Sequence, residues 1–319
     1  MIETTKAKEA PILVVGATGR HGATGGHIVR RLLAEGSSVR ALVRRRDARS
    51  ERLEQLGAEL SVGDLHDQAS LLPALAGVKT AYFTYPISDG IVHAAATFAA
   101  AARLRQSLDR LVVMSMAAAS AESPSPLGRA QWLAEEVLAW AGLRCVVLRV
   151  AAFFYENIAL LHAEQIRSEG KIRNCFANVP VPWIAGVDAA ELAVTALLHP
   201  DRFGNGSVQY PPGTAAYSHG EIVDILSSRL GRRITFETVS PSAWADELRA
   251  LGRRGGSGVN EHMAVHISNL GEALSAPERR FPPPDRSVLA GLIGREPVSL
   301  EHFLATVRGD LASDERARP

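Results

Sequence analysis

Residues 12–15 form an unbroken apolar run, Ile-Leu-Val-Val, and Gly16, Gly19, Gly22 and Gly25 follow at once, ahead of a stretch with helical spacing. A buried strand that turns directly into a helix through glycines describes a backbone passing close to a bound group. The free N–H groups of the first helical turn then point at that group. In a β-α-β setting the group is the pyrophosphate of a dinucleotide. Gly16, Thr18, Gly19, Arg20, His21 and Gly22 are therefore the expected cofactor contacts. Gly16, Gly19 and Gly22 fit the end of the strand, whereas Gly19, Gly22 and Gly25 fit the helix register set by Ile28. Both frames hold only if the loop is about one helical turn longer than usual.

Strand-like and helix-like patterns alternate through the first half. Strands are expected at residues 12–15, 39–43, 59–62, 80–84, 110–114 and 145–148, and helices at 26–34, 48–56, 68–75, 93–104 and 130–140. Ile28 with Leu32, and Val29 with Leu33, stand four apart and share one helix face. This order implies an α/β fold, a doubly wound parallel sheet with its ligand chemistry at the carboxyl ends of the strands. Residues 1–150 are expected to form the nucleotide-binding domain. Residues 151–319 are expected to form mainly a smaller α+β substrate or cap domain, with one or two of its strands returning to the main sheet. There Leu251 to Gly258 reads as a mobile loop, Phe281–Pro284 as a stiff connector and Asp314–Pro319 as a disordered tail.

A chain of 319 residues, 46% apolar, can bury such a core. The formal charge of +1 favours neither nucleic acid nor a membrane surface as a partner. No apolar run approaches spanning length and the first ten residues carry no signal-peptide core. A cytoplasmic protein, monomeric or homodimeric and acting on a small molecule, is expected. Cys145 and Cys175 have neither disulfide-framework nor metal-ligand spacing, and no metal is expected.

At the end of the second expected strand, a site selective for NAD carries an acidic residue for the ribose hydroxyls. Here Arg44, Arg45 and Arg46 stand there instead. A guanidinium matches a 2′-phosphate in charge and bidentate geometry, which points to NADP(H), with Arg44 and Arg45 as the contacts and Arg20 adding to the field. Asp64 and Leu65, after the third strand, are placed to meet the adenine, although Asp64 also suits a helix N-cap. Thr84, Tyr85 and Pro86, after the fourth, are placed to line the dinucleotide trough.

The run from Pro11 to Gly22, Val39–Arg44, Gly63-Asp64, Ser123–Gly128, Leu148-Arg149 and Phe154–Asn157 resembles the NmrA-like group of atypical short-chain dehydrogenases/reductases. The likeness extends through Val187–Ala190 to the closing 301–307 helix. It implies a Rossmann-type NAD(P) domain, a small substrate domain and frequent NADP preference. Activities in the group range from quinone and azo-dye reduction to redox sensing without turnover.

Typical short-chain reductases activate a tyrosine with a lysine four residues later. The residues four after Tyr82, Tyr85, Tyr155, Tyr210 and Tyr217 are Pro86, Asp89, Ala159, Thr214 and Glu221, so the pair is absent. Gln131-Trp132 stand where many NmrA-like proteins carry a lysine after the fifth strand. Ser115 and Tyr155 remain as catalytic candidates, each with a plain alternative: a strand-end turn serine and an aromatic packing residue. Phe153, Phe154, Asn157 and Trp183 are expected to wall the substrate pocket. His93 reads as a surface or capping group. His262 and His266, four apart, match a two-His metal face without a carboxylate to confirm it, and read better as a helix lining the pocket. Two functions stay open: an NADPH-dependent reductase of a quinone, enone or similar conjugated acceptor, and a catalytically silent NADP(H)-binding sensor. An epimerase or dehydratase is a third reading, but such relatives need the missing pair.

Overall fold

A computed structural model of the chain describes residues 10–19, 21–255, 258–276 and 282–312. The expectations for Arg20, the side chain of His21, Phe281 and the 314–319 tail lie outside them. The first half alternates strand and helix: β1 Ile12–Val15, α1 Thr24–Ala34, β2 Val39–Val43, α2 Ala48–Gln55, β3 Glu59–Val62, α3 Gln68–Ala74, β4 Thr80–Phe83, α4 Ile91–Arg105, β5 Arg110–Met116, α5 Pro126–Trp140 and β6 Cys145–Val150. The second half is more finely divided: β7 Phe153–Phe154, α6 Glu156–Glu169, β8 Lys171–Asn174, β9 Val181–Ile184, α7 Gly186–Leu198, β10 Ser207–Gln209, β11 Ala215–Tyr217, α8 His219–Leu230, β12 Thr235–Thr238, α9 Pro241–Arg253, α10 Glu261–Leu274, α11 Arg286–Ile293, α12 Leu300–Thr306 and α13 Arg308–Leu311.

Seven strands make one parallel sheet in the order β10-β6-β5-β4-β1-β2-β3. The chain works outward from β1 in both directions, so the switch point lies between β1 and β4, where such a sheet binds ligand. Alternation along β1 divides the core. Val14 joins Ile28, Val29 and Leu32 of α1 on one face, whereas Leu13 and Val15 join Phe83, Phe98 and Leu138 on the face covered by α3, α4 and α5.

Chain order and spatial unit part company after β6. Helix α7 returns to pack on α1 and is buried from Asp188 to Leu197. Strand β10 pairs with β6 as the one strand that comes back to the sheet, and Leu289 and Ile293 of α11 join the same core. The smaller unit holds a three-stranded sheet, β11-β9-β7, and a parallel pair, β12-β8. Tyr155, Trp183, Ile222 and Phe303 centre its core, and Trp244 of α9 with Met263 and Ile267 of α10 form an adjoining cluster. The expected mobile loop at Leu251–Gly258 is corrected at its start. Ser240 caps α9, and burial of Trp244 and Leu248 carries that helix through Arg253. No helix among the described residues is long and apolar enough to cross a membrane.

The extra helical turn required by the doubled glycine frame is present. A 3-10 turn at His21–Ala23 precedes α1, and Gly22 and Ala23 both take left-handed backbone angles, φ 62° and 50°. Gly25 lies against the Gly16 carbonyl, where a Cβ would fall well inside van der Waals contact of the oxygen. Gly291, in α11, has open space around its Cβ position. Gly25→Ala is predicted to destabilise the protein by about 2–3 kcal/mol through overpacking. Gly291→Ala should instead stabilise it by about 0.5–1 kcal/mol. Urea unfolding midpoints measure both, and equal effects would contradict the assigned packing role of Gly25.

Candidate active site

The carboxyl ends of β1, β2, β3 and β4 meet at one edge and bring most of the expected cofactor residues together. Gly16 is left-handed, φ 78°, and a Cβ there would strike the Thr84 side chain, so the ends of β1 and β4 are in van der Waals contact. Gly19 N–H donates to Gly16 O at 2.9 Å and closes the turn. Thr18 is half-buried and Gly19 exposed on its rim. No side chain caps α1, so its first-turn N–H groups stay available to a phosphate. Gly22 has a different task. Its Cβ position is 2.8 Å from the Phe154 ring, and a Cβ on Gly186 would collide with its carbonyl. Gly16 and Gly19 shape the cradle, while Gly22 joins it to β7 and α7.

The three arginines after β2 divide by partner. Arg46 is tied to Glu54 by two hydrogen bonds, 2.9 and 3.0 Å. Arg44 and Arg45 are exposed, and neither makes a hydrogen bond or salt bridge among the described residues. Arg49, which the sequence reading passed over, donates from Nη1 to Thr18 O at 3.0 Å and pairs with Asp47 at 2.7 Å. It fastens the glycine loop to the start of α2. The Asp47–Ser50 capping box that sets this helix start was a legible signal for it.

Asp64 does not cap α3. Asp67 does, while Asp64 Oδ1 accepts from His66 N at 2.9 Å and shapes the turn. His66, unforeseen although it follows Leu65, lies 2.8 Å through Nε2 from the Tyr85 hydroxyl and 3.1 Å through Nδ1 from His93 Nδ1. Asp64 and Pro86 are exposed, Leu65 and Tyr85 half-buried, so this corner faces the edge of the cleft.

The two catalytic candidates are turned elsewhere. The Ser115 hydroxyl donates to Glu135 Oε1 of α5, and Glu135 Oε2 accepts from Arg149 Nε at 2.9 Å and Nη2 at 2.5 Å. Burial pushes the Glu135 carboxyl above its ordinary range, and the bonds from Arg149 and Ser115 oppose that push. A serine holding its hydrogen on this carboxylate has none to offer a substrate oxygen. Tyr155 is wholly buried, stacked on Trp183 and packed against the tilted ring of Phe303. Burial raises its phenol, making it a poor acid enclosed in core. Nothing in the primary sequence marks Glu135, because its role depends on α5 folding back over β5.

Phe153, Asn157 and Trp183 line a cavity of about 30 Å³ in the smaller unit, whereas Phe154 packs on Gly22. The cavity also meets Phe176, Trp244 and two histidines that the sequence did not single out, His162 and His219. His162 stacks on Trp244, with ring centres 5.2 Å apart. Burial holds both imidazoles neutral, lowering His162 to about 3 and His219 to about 4. Ile87, three residues beyond Thr84, packs against the hydrophobic cluster that holds Phe176 and Trp244. On α10, His266 bonds Ser125 through Nδ1 at 2.7 Å and His262 lies 3.3 Å from Asp89, so the two serve separate partners. Among the described residues no group of three or more His, Cys, Asp or Glu side chains is arranged to hold a metal.

Comparison with known proteins gives one family match and several relatives. Residues 8–273 match the model of the NmrA-like family. The chain is 29% identical over 270 residues to an NAD(P)H azoreductase of Xenophilus azovorans, covering 84% of this chain and 88% of that one. An NADPH-dependent quinone oxidoreductase of Escherichia coli, solved with NADPH, superposes with a TM-score of 0.76 at 22% identity over 93% of this chain and 99% of that one. NmrA, a negative transcriptional regulator solved with NADP, gives a TM-score of 0.71 at 18% identity over 93% and 94%. At these identities the two structures establish the fold.

The neutral histidines make stability depend on pH. Unfolded, each takes up a proton near the ordinary histidine value of 6.5, whereas folded it stays neutral until far lower. Their contribution is complete above that value and lost as the pH falls, by about 1.4 kcal/mol per pH unit for each histidine. His219→Phe should therefore make the loss of unfolding free energy between about pH 6 and pH 5 shallower by about 1.4 kcal/mol per unit. Denaturant titrations at the two pH values measure it; an unchanged slope would show that His219 titrates normally in the fold.

Proposed function

Because this chain belongs to the NmrA-like family, we propose that it is an NADPH-dependent reductase whose acceptor is a conjugated small molecule, a quinone or an enone. The observation that carries the cofactor half is the exposed pair Arg44 and Arg45, which make no hydrogen bond or salt bridge among the described residues, beside a glycine cradle whose helix has no side-chain cap. The residues fit the group. Gly16 and Gly19 leave room for a pyrophosphate, and the first turn of α1 supplies N–H donors. Arg44 and Arg45 supply the charge and fork geometry that a 2′-phosphate takes. When bound, NADPH supplies the hydride.

The chain's own part is to bind, orient and enclose. Thr84 and the glycine turn set the floor of the cleft, and Arg49 holds the loop in place through Thr18. The four lysines of the sequence include none four residues after a tyrosine. The two described ones, Lys79 and Lys171, pair with Asp109 and Glu237 on the surface. With Ser115 committed to Glu135 and Tyr155 enclosed, the proton reaching the reduced acceptor comes from water. Conjugated carbonyl acceptors suit such a site because they take hydride without a strong positioned acid. The azoreductase relative is in keeping with this reading.

The test is NADPH oxidation in the presence of a panel of quinones and enones, followed by the loss of reduced-nicotinamide absorbance. Turnover with at least one member is expected. Tight NADPH binding with no turnover on any would replace the reductase with a nucleotide sensor. Arg44→Ala with Arg45→Ala is predicted to weaken NADPH binding by about tenfold to a hundredfold and NADH binding by less than about threefold, since only NADPH carries the phosphate these groups pair with. Fluorescence titration reads both constants, and equal losses would remove the arginines from the 2′-phosphate site.

A further inference from the structure

The small cavity of the cap has a wall that packing alone does not explain. His162 of α6, His219 of α8 and Trp244 of α9 are buried on its inner side, and Phe153 and Asn157 are half-buried at its outer side. Among the described residues, Asn157 Oδ1, His162 Nδ1, His219 Nδ1 and Trp244 Nε1 are all buried without a hydrogen-bond partner. Buried polar atoms are ordinarily paired, and four around one void mark a place that a polar group is meant to complete. The surrounding side chains are aromatic, aliphatic or neutral, with no carboxylate, lysine or arginine among them.

We infer that this cavity receives the leading oxygen of the acceptor, a carbonyl or hydroxyl borne on an uncharged flat ring. The inference rests on the reductase reading above and adds which acceptors that site takes. At about 30 Å³ the void admits one small polar group rather than a ring, so the ring stays at the outer side and only its oxygen enters. The donors and acceptors match both oxidation states of that oxygen. A quinone carbonyl accepts from Trp244 Nε1–H, which is a donor only. After reduction the hydroxyl can also donate, and Asn157 Oδ1 is an acceptor only. The balance is quinone plus NADPH plus one proton giving hydroquinone plus NADP⁺, with the proton drawn from water. A neutral imidazole offers one donor and one acceptor, so His162 and His219 accommodate either state. A sulfonate or a quaternary ammonium entering here would lose its hydration with no opposite charge to replace it.

The experiment is calorimetric titration of the full-length protein, saturated with NADP⁺ so that no reduction occurs, with naphthoquinone and with its ring-sulfonated analogue. Naphthoquinone is expected to bind at least about tenfold tighter than the sulfonate. Asn157→Leu and His219→Phe should each weaken naphthoquinone by about tenfold while NADPH affinity stays within about twofold of wild type. Asn157 is only half-buried, so its variant keeps the test intact if His219→Phe fails to fold. Equal binding of the two quinones, no binding of either, or variants that bind naphthoquinone as the wild type does would each overturn the inference. Selective binding without turnover when NADPH replaces NADP⁺ would instead remove the reductase reading and leave the cavity assignment standing. Turnover that ignores both variants would do the reverse.

Discussion

The architecture of the site depends on one close approach, that of Gly25 in α1 to the carbonyl of Gly16 at the end of β1. With no Cβ between them, the helix lies down on the strand it has just left. The turn between is then free to rise into a cradle at the switch point of the sheet. Thr84, pressed against Gly16 from the neighbouring β4, sets the opposite wall. A second close approach couples this cradle to the smaller unit. Gly22 is clasped by the Phe154 ring and by Gly186 at the start of α7. Gly186 N in turn donates to the Glu156 carboxylate at the start of α6, at 3.0 Å to each oxygen. The cofactor loop and the helices that carry the cavity therefore share a single junction.

That junction explains why the glycine pattern carries two frames. Gly16, Gly19 and Gly25 answer to the strand and the helix, and Gly22 answers to a part of the chain more than a hundred residues away. The surplus of glycine, and hence the extra 3-10 turn, was legible in the sequence; the partner of Gly22 was not, because nothing local encodes a contact with Phe154. The same division runs through the fold. The strands of the first half stand within a residue or two of where their apolar runs place them, because a parallel strand buried on both faces declares itself by composition. Helix α7 completes a core, and strand β10 extends a sheet, that begin more than 150 residues earlier, so neither could be assigned to its unit from the sequence.

Side-chain roles were legible where charge stands alone and obscure where it is neutralised by folding. Three arginines after β2 announce an anion, yet only the fold shows that Arg46 belongs to Glu54 and that Arg44 and Arg45 have no hydrogen-bond or salt-bridge partner among the described residues. Ser115 sits at the expected strand end, but Glu135, brought over it by α5, accepts its hydrogen bond. Tyr155 looks like a pocket residue from its aromatic neighbours, but the turn from β7 into α6 buries it in the core of the smaller unit, whereas Phe153 lines the cavity. His162 and His219 are unremarkable in the sequence; burial among aromatic rings holds them neutral at the wall of the small cavity. A site without a positioned acid thus depends on a well-formed cofactor cradle and on selective admission of the acceptor.

The most direct measurement of the central claim is the affinity of the wild-type protein for NADPH and for NADH, each titrated calorimetrically at low and at moderate salt. NADPH is predicted to bind at least about tenfold tighter, with an advantage that shrinks as salt screens the exposed arginines. Equal affinities at both salt concentrations, or tighter binding of NADH, would contradict the assignment of the cradle and its two free arginines to a 2′-phosphorylated dinucleotide.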